Sequence, residues 1–297
     1  MLLDTASLYF RAFYGLPDTL RSPDGRPVNA VRGLLDFIAK FVGDYSPTHL
    51  ACCWDNSWRP AWRVELLPSY KAHRVAHDDV EVVPELLQAQ VPLIREVLGA
   101  TGLAVIGADG YEADDVIGTL TARWEGPVDI VTGDRDLFQL VDDAAGHRVL
   151  YCARGIARHE RVDDAWLASR YGVTGAGYVD FAVMRGDPSD GLPGVAGIGE
   201  KTAASLVATY GDLEGMLAAA GEGKLSPMLA RRLADALDYL GAARAVVTVA
   251  DDIPLPSYDL TLPDGIAQPE TFAALTESLG LGGSATRLAQ ALSGRST

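Results

Sequence analysis

The sequence predicts an α/β fold, a mostly parallel sheet flanked by helices, followed by a helical region. Short apolar runs ending near Asp4, Trp54, Ile106, Thr132 and Cys152 alternate with helix-forming stretches. Strands buried on both faces of a parallel sheet read as such unbroken apolar runs. Beyond about Arg154 the runs give way to helical periodicity. The 297 residues, 48% of them hydrophobic, suffice for one large domain and a smaller one. The division falls at 1–154 for the sheet and 155–297 for the helices.

Taken in order, residues 1–4 end a first strand that is short for a parallel sheet, so an upstream start or a trimmed terminus is expected. With no basic stretch and an immediate acid, this segment is not expected to be a secretory signal. Residues 6–14 read as a helix with Phe10, Arg11 and Tyr14 on its faces. Asn29 is expected to cap a helix over 30–44, where Val31, Leu34, Leu35, Ile38 and Val42 recur at helical spacing. Strand 48–54 follows, then a helix over 82–98 that admits Pro84 in its first turn and is expected to kink at Pro92. Strand 103–106, helix 112–124, strand 128–132, helix 135–140 and strand 148–152 complete the alternation. Residues 163–171 and 178–185 read as short helices and 228–248 as one long helix. After a proline-marked extended tail, 269–279 and 285–292 read as final helices without a functional motif.

Acids collect where strands end. Glu112, Asp114 and Asp115 open one helix, Asp134 and Asp136 follow strand 128–132, and Asp4 and Asp55 end two further strands. Asp187 and Asp190 stand three apart in a later turn. The carboxyl ends of strands in an open α/β sheet are where ligands bind. Glu112, Asp114, Asp115, Asp134 and Asp136 alone would repel one another strongly without a cation between them, and an all-oxygen donor set suits Mg²⁺ or Mn²⁺ rather than zinc. Acids complementing helix N-termini would explain one cluster. They do not explain repetition at successive strand ends.

A net charge of −15 opposes nucleic-acid binding unless bases are clustered. Setting the nine carboxylates aside leaves 31 acids against 25 bases. In residues 56–79, Arg59, Arg63, Lys71, His73, Arg74 and His77 interleave with Trp58, Trp62 and Tyr70. Cations can pair phosphates there while rings stack on bases; the alternative is a solvated loop anchoring its tryptophans in the core. No apolar run approaches the roughly 20 residues of a membrane span. Cys52, Cys53 and Cys152 lack CxxC spacing, which points to a reducing cytoplasm and away from zinc or a disulfide frame. Gly194, Gly197 and Gly199, followed by Lys201 and Thr202, lie between two helices. The glycines permit a sharp turn, and the free N–H groups of the second helix form a phosphate cradle; an ordinary tight turn is the alternative.

Leu2-Leu3-Asp4 with Phe10-Arg11, Trp54-Asp55, Trp62-Arg63 with Tyr70-Lys71-Ala72-His73-Arg74, Tyr111 through Asp115, Thr132 through Asp136, and Gly186-Asp187 through Ala203 together resemble the successive motifs of the 5′-nuclease family, in order, over residues 1–250. That family includes the nuclease domain of bacterial DNA polymerase I, phage 5′-exonucleases and flap endonucleases. The resemblance implies a PIN-like sheet, a helical arch at 56–79 and a C-terminal helix-hairpin-helix (H3TH) domain with its hairpin at 191–207. It implies a stand-alone 5′-3′ exonuclease and 5′-flap endonuclease of replication and repair, acting on DNA with a free 5′ end, flap or branch. Polymerase and ligase would be functional partners, and the protein a monomer without membrane attachment.

Carried over position by position, Asp4, Asp55, Glu112, Asp114, Asp115, Asp134, Asp136, Asp187 and Asp190 match metal-binding acids. The first four would hold one Mg²⁺ or Mn²⁺, and Asp134, Asp136 and Asp187 a second, supported by Asp115 and Asp190. So many carboxylates leave room for a third ion. Arg63, Lys71 and Arg74 match basic arch residues that orient the scissile phosphate. Phe10, Arg11, Tyr70, Gly194, Gly197, Gly199, Lys201 and Thr202 match DNA-binding positions, Phe10 standing where relatives often have a stacking tyrosine. Carbonyls at Val195 and Ile198 match a potassium site. Two ions about 4 Å apart clamp an in-line displacement, which would leave a 5′-phosphate and a 3′-hydroxyl. The rivals are a PIN-type ribonuclease, which needs neither hairpin nor basic arch, and a non-catalytic DNA-binding module, which gains nothing from acids that repel phosphate.

Overall fold

The computed structural model describes residues 1–75 and 81–294; His77 and Asp79 of the basic segment lie outside the described residues. Strand β1 (Leu2–Asp4) passes directly into helix α1 (Thr5–Gly15), because the Asp4 carboxylate accepts the Ser7 N–H at 3.1 Å and so caps the helix. Helix α2 (Asn29–Tyr45) departs from expectation at its start. Asn29 is its first residue rather than its cap, and its side-chain amide donates to the Phe13 and Leu16 carbonyls at 2.9 and 3.3 Å, tying the end of α1 to α2. Strand β2 (Ala51–Cys53) and the short helix α3 (Ala61–Leu66) follow. The single helix expected over 82–98 is two, α4 (Glu85–Gln88) and α5 (Val91–Thr101). Pro92 lies in the first turn of α5, where its missing N–H costs no hydrogen bond, so the expected kink is a break.

Strand β3 (Ala104–Ile106), helix α6 (Ala113–Arg123), and strands β4 (Val128–Thr132), β5 (His147–Tyr151) and β6 (Glu160–Val162) complete the sheet. Its order is β3-β2-β1-β4-β5-β6; the first five strands in sequence run parallel and β6 runs antiparallel to β5. The helix expected at 135–140 is a 3₁₀ turn over Asp136–Leu140, and β6 was not expected. Side chains alternate between the two faces, as strand geometry requires. Leu2, Ala51, Cys53 and Ile130 join one apolar cluster, and Leu3, Cys52 and Val131 the other. Both faces are therefore covered, the condition for parallel strands.

Helices α7 (Asp164–Tyr171), α8 (Tyr178–Arg185), α9 (Glu200–Tyr210), α10 (Leu213–Gly221), α11 (Pro227–Asp235) and α12 (Leu237–Val247) form the helical region. The long helix expected over 228–248 breaks at Ala236, whose φ of −107° and ψ of 7° leave the helical range. An alanine carries no breaker signal, so nothing in the sequence marks that joint. Helices α13 (Pro269–Leu279) and α14 (Gly282–Ser293) return to the sheet. Phe272, Leu279, Leu288 and Leu292 share a cluster with Val31, Leu34 and Leu35 of α2, and Arg287 donates to Asp36 at 2.9 Å. No helix among the described residues is long and apolar enough to cross a membrane.

Candidate active site

The chain winds β1-β2-β3 to one side of the sheet and restarts at β4 on the other. A crevice therefore opens between the carboxyl ends of β1 and β4, where open α/β sheets bind ligands. Asp4 ends β1 and Thr132 ends β4. The Thr132 hydroxyl donates to Asp4 at 2.6 Å and accepts the Asp134 N–H at 2.8 Å, and the Asp134 carboxylate accepts the Asp136 N–H at 2.9 Å. Asp55, just beyond β2, accepts the Ala113 N–H at 2.6 Å and so ties that strand end to the start of α6, which Glu112 caps. Asp4, Asp55, Glu112, Asp114 and Asp134 thus line one cleft of about 890 Å³, together with Phe10, Arg11, Lys71 and Arg74.

Burial dominates the electrostatics. It pushes Asp4 up to about 7 against the Thr132 hydrogen bond, with Asp55 and Asp134 adding repulsion. Asp114 rises well above the ordinary carboxylate range through burial, then Asp4, Asp134 and Glu112. Asp55 and Glu112 rise for the same first reason. Asp136 and Asp190 do not line the cleft, but each is pushed up by burial and by Asp134 beside it. Asp187 behaves differently. Burial opposes its ionisation, yet hydrogen bonds from Ser189 and the charges of Arg135 and Arg185 hold it below the usual value, with Arg135 at 2.8 Å.

The foot of the basic segment docks on the turn carrying Asp187 and Asp190. The Lys71 N–H donates to the Asp190 carbonyl at 3.0 Å, and Arg74 donates to the Ser189 carbonyl and the Asp190 carboxylate, both at 2.7 Å. Gly191, with φ of 74°, lies so close that a Cβ would stand 2.0 Å from the Ser69 carbonyl. Lys71 adopts a left-handed φ of 48°, uncommon for a residue with a side chain, and its ammonium meets Glu112. Within the basic segment, α3 and the 3₁₀ turn Ala72–Arg74 are the helical pieces among the described residues.

Beyond Asp136, Asp187 and Asp190, which stand outside the cleft lining, Arg63, Asp115 and Tyr70 are turned into the interior. Arg63 is 2% exposed: its guanidinium grips Asp115 at 2.6 and 2.7 Å and Glu112 at 2.8 Å, and its Nε donates to the Val246 carbonyl at 2.9 Å. It fastens α3 to α6 and α12 instead of meeting a phosphate. Asp115, fully buried, spends its oxygens on Arg63 and on the Glu112 and Ala250 N–H groups. Tyr70 is buried and donates to Glu112 at 2.8 Å, so its ring does not face a base. Conversely, Glu81 lines the cleft without any sequence signal, standing past the undescribed segment.

The hairpin between α8 and α9 places Gly194 and Gly197 at φ of 72° and 77°, as a sharp turn needs. Gly199 differs: it is the extended N-cap of α9, with open space where a Cβ would be, so that helix start faces outward. Lys201 is exposed, Thr202 partly so, while the side chains of Val195 and Ile198 are buried and the Arg232 guanidinium braces the Gly197 carbonyl at 2.8 Å.

A family model for the 5′-3′ exonuclease N-terminal resolvase-like domain matches residues 1–172, and one for the 5′-3′ exonuclease C-terminal SAM fold matches residues 173–265. The chain belongs to the 5′-3′ exonuclease family. A 5′-3′ exonuclease of Streptomyces coelicolor is 59% identical to it over 295 residues, covering 97% of this chain and 98% of its own. One of Mycobacterium tuberculosis is 48% identical over 308 residues, covering 98% and 97%. The crystal structure of T5 D15 protein co-crystallised with metal ions shares the fold at a TM-score of 0.65 and 15% identity, covering 98% of this chain and 97% of that one.

In this exonuclease-family chain the donors suit hard divalent ions. Carboxylates from separate strand ends face one cleft, and burial destabilises their charged forms until a proton or a cation arrives. Among the described residues no group of three or more acid, imidazole or thiol side chains already stands as an ion site, so holding an ion here requires the carboxylates to shift or water and phosphate oxygens to complete its shell, as Mg²⁺ accepts.

A pH dependence follows. A raised carboxylate binds its proton more tightly folded than unfolded, so the ion-free protein is expected to lose stability as pH rises from the ordinary carboxylate value toward about 7, the value for Asp4. Melting in EDTA should therefore occur at higher temperature at pH 5.5 than at pH 8. Millimolar Mn²⁺ should flatten or invert that trend, because protons and ions compete for the same oxygens. An identical pH profile with and without Mn²⁺ would show that the ion does not reach these acids.

Proposed function

We propose that this protein is a structure-specific 5′-3′ exonuclease and 5′-flap endonuclease that hydrolyses DNA phosphodiesters with two divalent ions, giving 5′-phosphate and 3′-hydroxyl products. The observation that carries the reading is the cleft at the β1/β4 crevice, where Asp4, Asp55, Glu112, Asp114 and Asp134 face Lys71 and Arg74. Asp4, Asp55, Glu112 and Asp114 would hold one ion, and Asp134 with Asp136, Asp187 and Asp190 the other. When bound, such ions acidify water and neutralise charge on the phosphate and leaving oxygen. Lys71 and Arg74 orient the scissile phosphate and stabilise its developing charge, exchanging Glu112 and Asp190 for it. Phe10 stacks on a base beside that phosphate.

The start of α9 and Lys201 hold the duplex by its backbone, which fixes distance to the junction without reading sequence. Selectivity then rests on shape, since a free 5′ end or flap can enter the cleft and an unbroken duplex cannot. Labelled 5′-flap DNA and single-stranded RNA, each with and without Mn²⁺, test the reading: Mn²⁺-dependent release of flap products supports it, and cleavage of RNA alone favours a ribonuclease. Lys201→Ala is expected to weaken duplex affinity and to lower the slope of log K against log salt by about one. Titration at several salt concentrations measures this; an unchanged slope with slower turnover would remove Lys201 from the duplex contact.

A further inference from the structure

Tyr14 is the most exposed large hydrophobic side chain among the described residues, at 71%, and it lines the acidic cleft. It follows Phe10, another cleft residue, by four positions on α1, so both rings project from one helix face about 6 Å apart along the axis. Phe13 packs edge-on against this ring at 5.2 Å with planes at 78°, leaving the rest of it to solvent. Its hydroxyl has no partner among the described residues. Val82, 63% exposed, lines the same cleft and adds a second apolar surface. Isolated exposed hydrophobics are common on protein surfaces. This one differs in sharing a cleft with Phe10, the catalytic acids and the cations Arg11 and Arg74.

We infer that Tyr14 is a second stacking platform, one helical turn beyond Phe10, for a base of the unpaired 5′ strand, and that it makes substrate affinity depend on bases in that strand. The inference rests on the nuclease reading above. Aromatic faces accept any base, so this contact measures the presence of a base and not its identity. Arg11, between the two rings in sequence, supplies positive charge for the intervening phosphate.

The test uses the full chain with Mn²⁺ and two 5′-flap DNAs, one with a natural flap and one whose flap nucleotides are abasic. Tyr14→Ala should raise KM for the natural flap about tenfold, with single-turnover cleavage at saturating DNA reduced less than twofold. Tyr14→Phe should restore the wild-type KM, and on the abasic flap all three proteins should have the same KM. A wild-type KM for Tyr14→Ala on the natural flap, or an equal loss on both flaps, overturns the inference. A 2-aminopurine placed in the flap gives a separate readout in Ca²⁺, its fluorescence being quenched by the wild type and by Tyr14→Phe but not by Tyr14→Ala. If the wild type cuts neither flap yet quenches the probe, the nuclease reading fails and the stacking contact stands.

Discussion

Asp134→Asn is expected to lower the single-turnover rate on 5′-flap DNA by about three orders of magnitude in Mg²⁺, the loss of several kcal/mol of charge stabilisation. The substitution is close to isosteric, and the Asp136 N–H that donates to Asp134 at 2.9 Å can donate equally to an amide oxygen, so the loop should keep its shape. DNA affinity should persist or rise, since one negative charge leaves a cleft that must admit phosphate. Quenched-flow cleavage together with a binding titration separates these effects. Wild-type cleavage by Asp134→Asn would remove this acid from metal binding, and with it the assignment of the second ion.

Arg63→Ala is expected to act on stability first. Arg63 is 2% exposed and neutralises Glu112 and Asp115, which are themselves buried. Removing one partner from a buried ion network leaves uncompensated charge, which costs about 3–5 kcal/mol and corresponds to a melting temperature roughly 10 °C lower in a chain of this size. Arg63→Lys keeps the charge but loses the fork that meets Asp115 through two nitrogens, so it should fall between the two. Calorimetry of the three proteins measures the order. A normal melting temperature with turnover lost would return Arg63 to the phosphate-orienting role that its place in the sequence suggests.

Arg63 also shows where sequence reading stops. Residues 56–79 are rich in bases and rings, and spacing alone makes them equivalent candidates for nucleic acid. In the fold they part ways. Lys71 and Arg74 reach the cleft, whereas Arg63 and Tyr70 turn inward to satisfy Glu112 and Asp115. Asp115 is the matching case among the acids: one residue after Asp114, and so about 100° round the helix, it turns into the interior, where Arg63 and two backbone N–H groups consume its oxygens. A cation and an anion that neutralise each other 52 residues apart leave no local trace, because each looks like a free charge in its own window.

The parallel sheet and the identity of the strand-end acids were legible from the chain alone, because both rest on short-range regularities. Apolar runs of strand length mark doubly covered strands, and an acid directly after such a run is carried to the same sheet edge whatever else the fold does. Strand β6, the break at Ala236 and the return of α13 and α14 to cover α2 were not legible, since each depends on surfaces far away in sequence. Tertiary structure also decided which charges face the cleft and which neutralise one another in the interior. The physical reason is that burial sets the energy of a charge, and burial belongs to the packed molecule rather than to any segment of it.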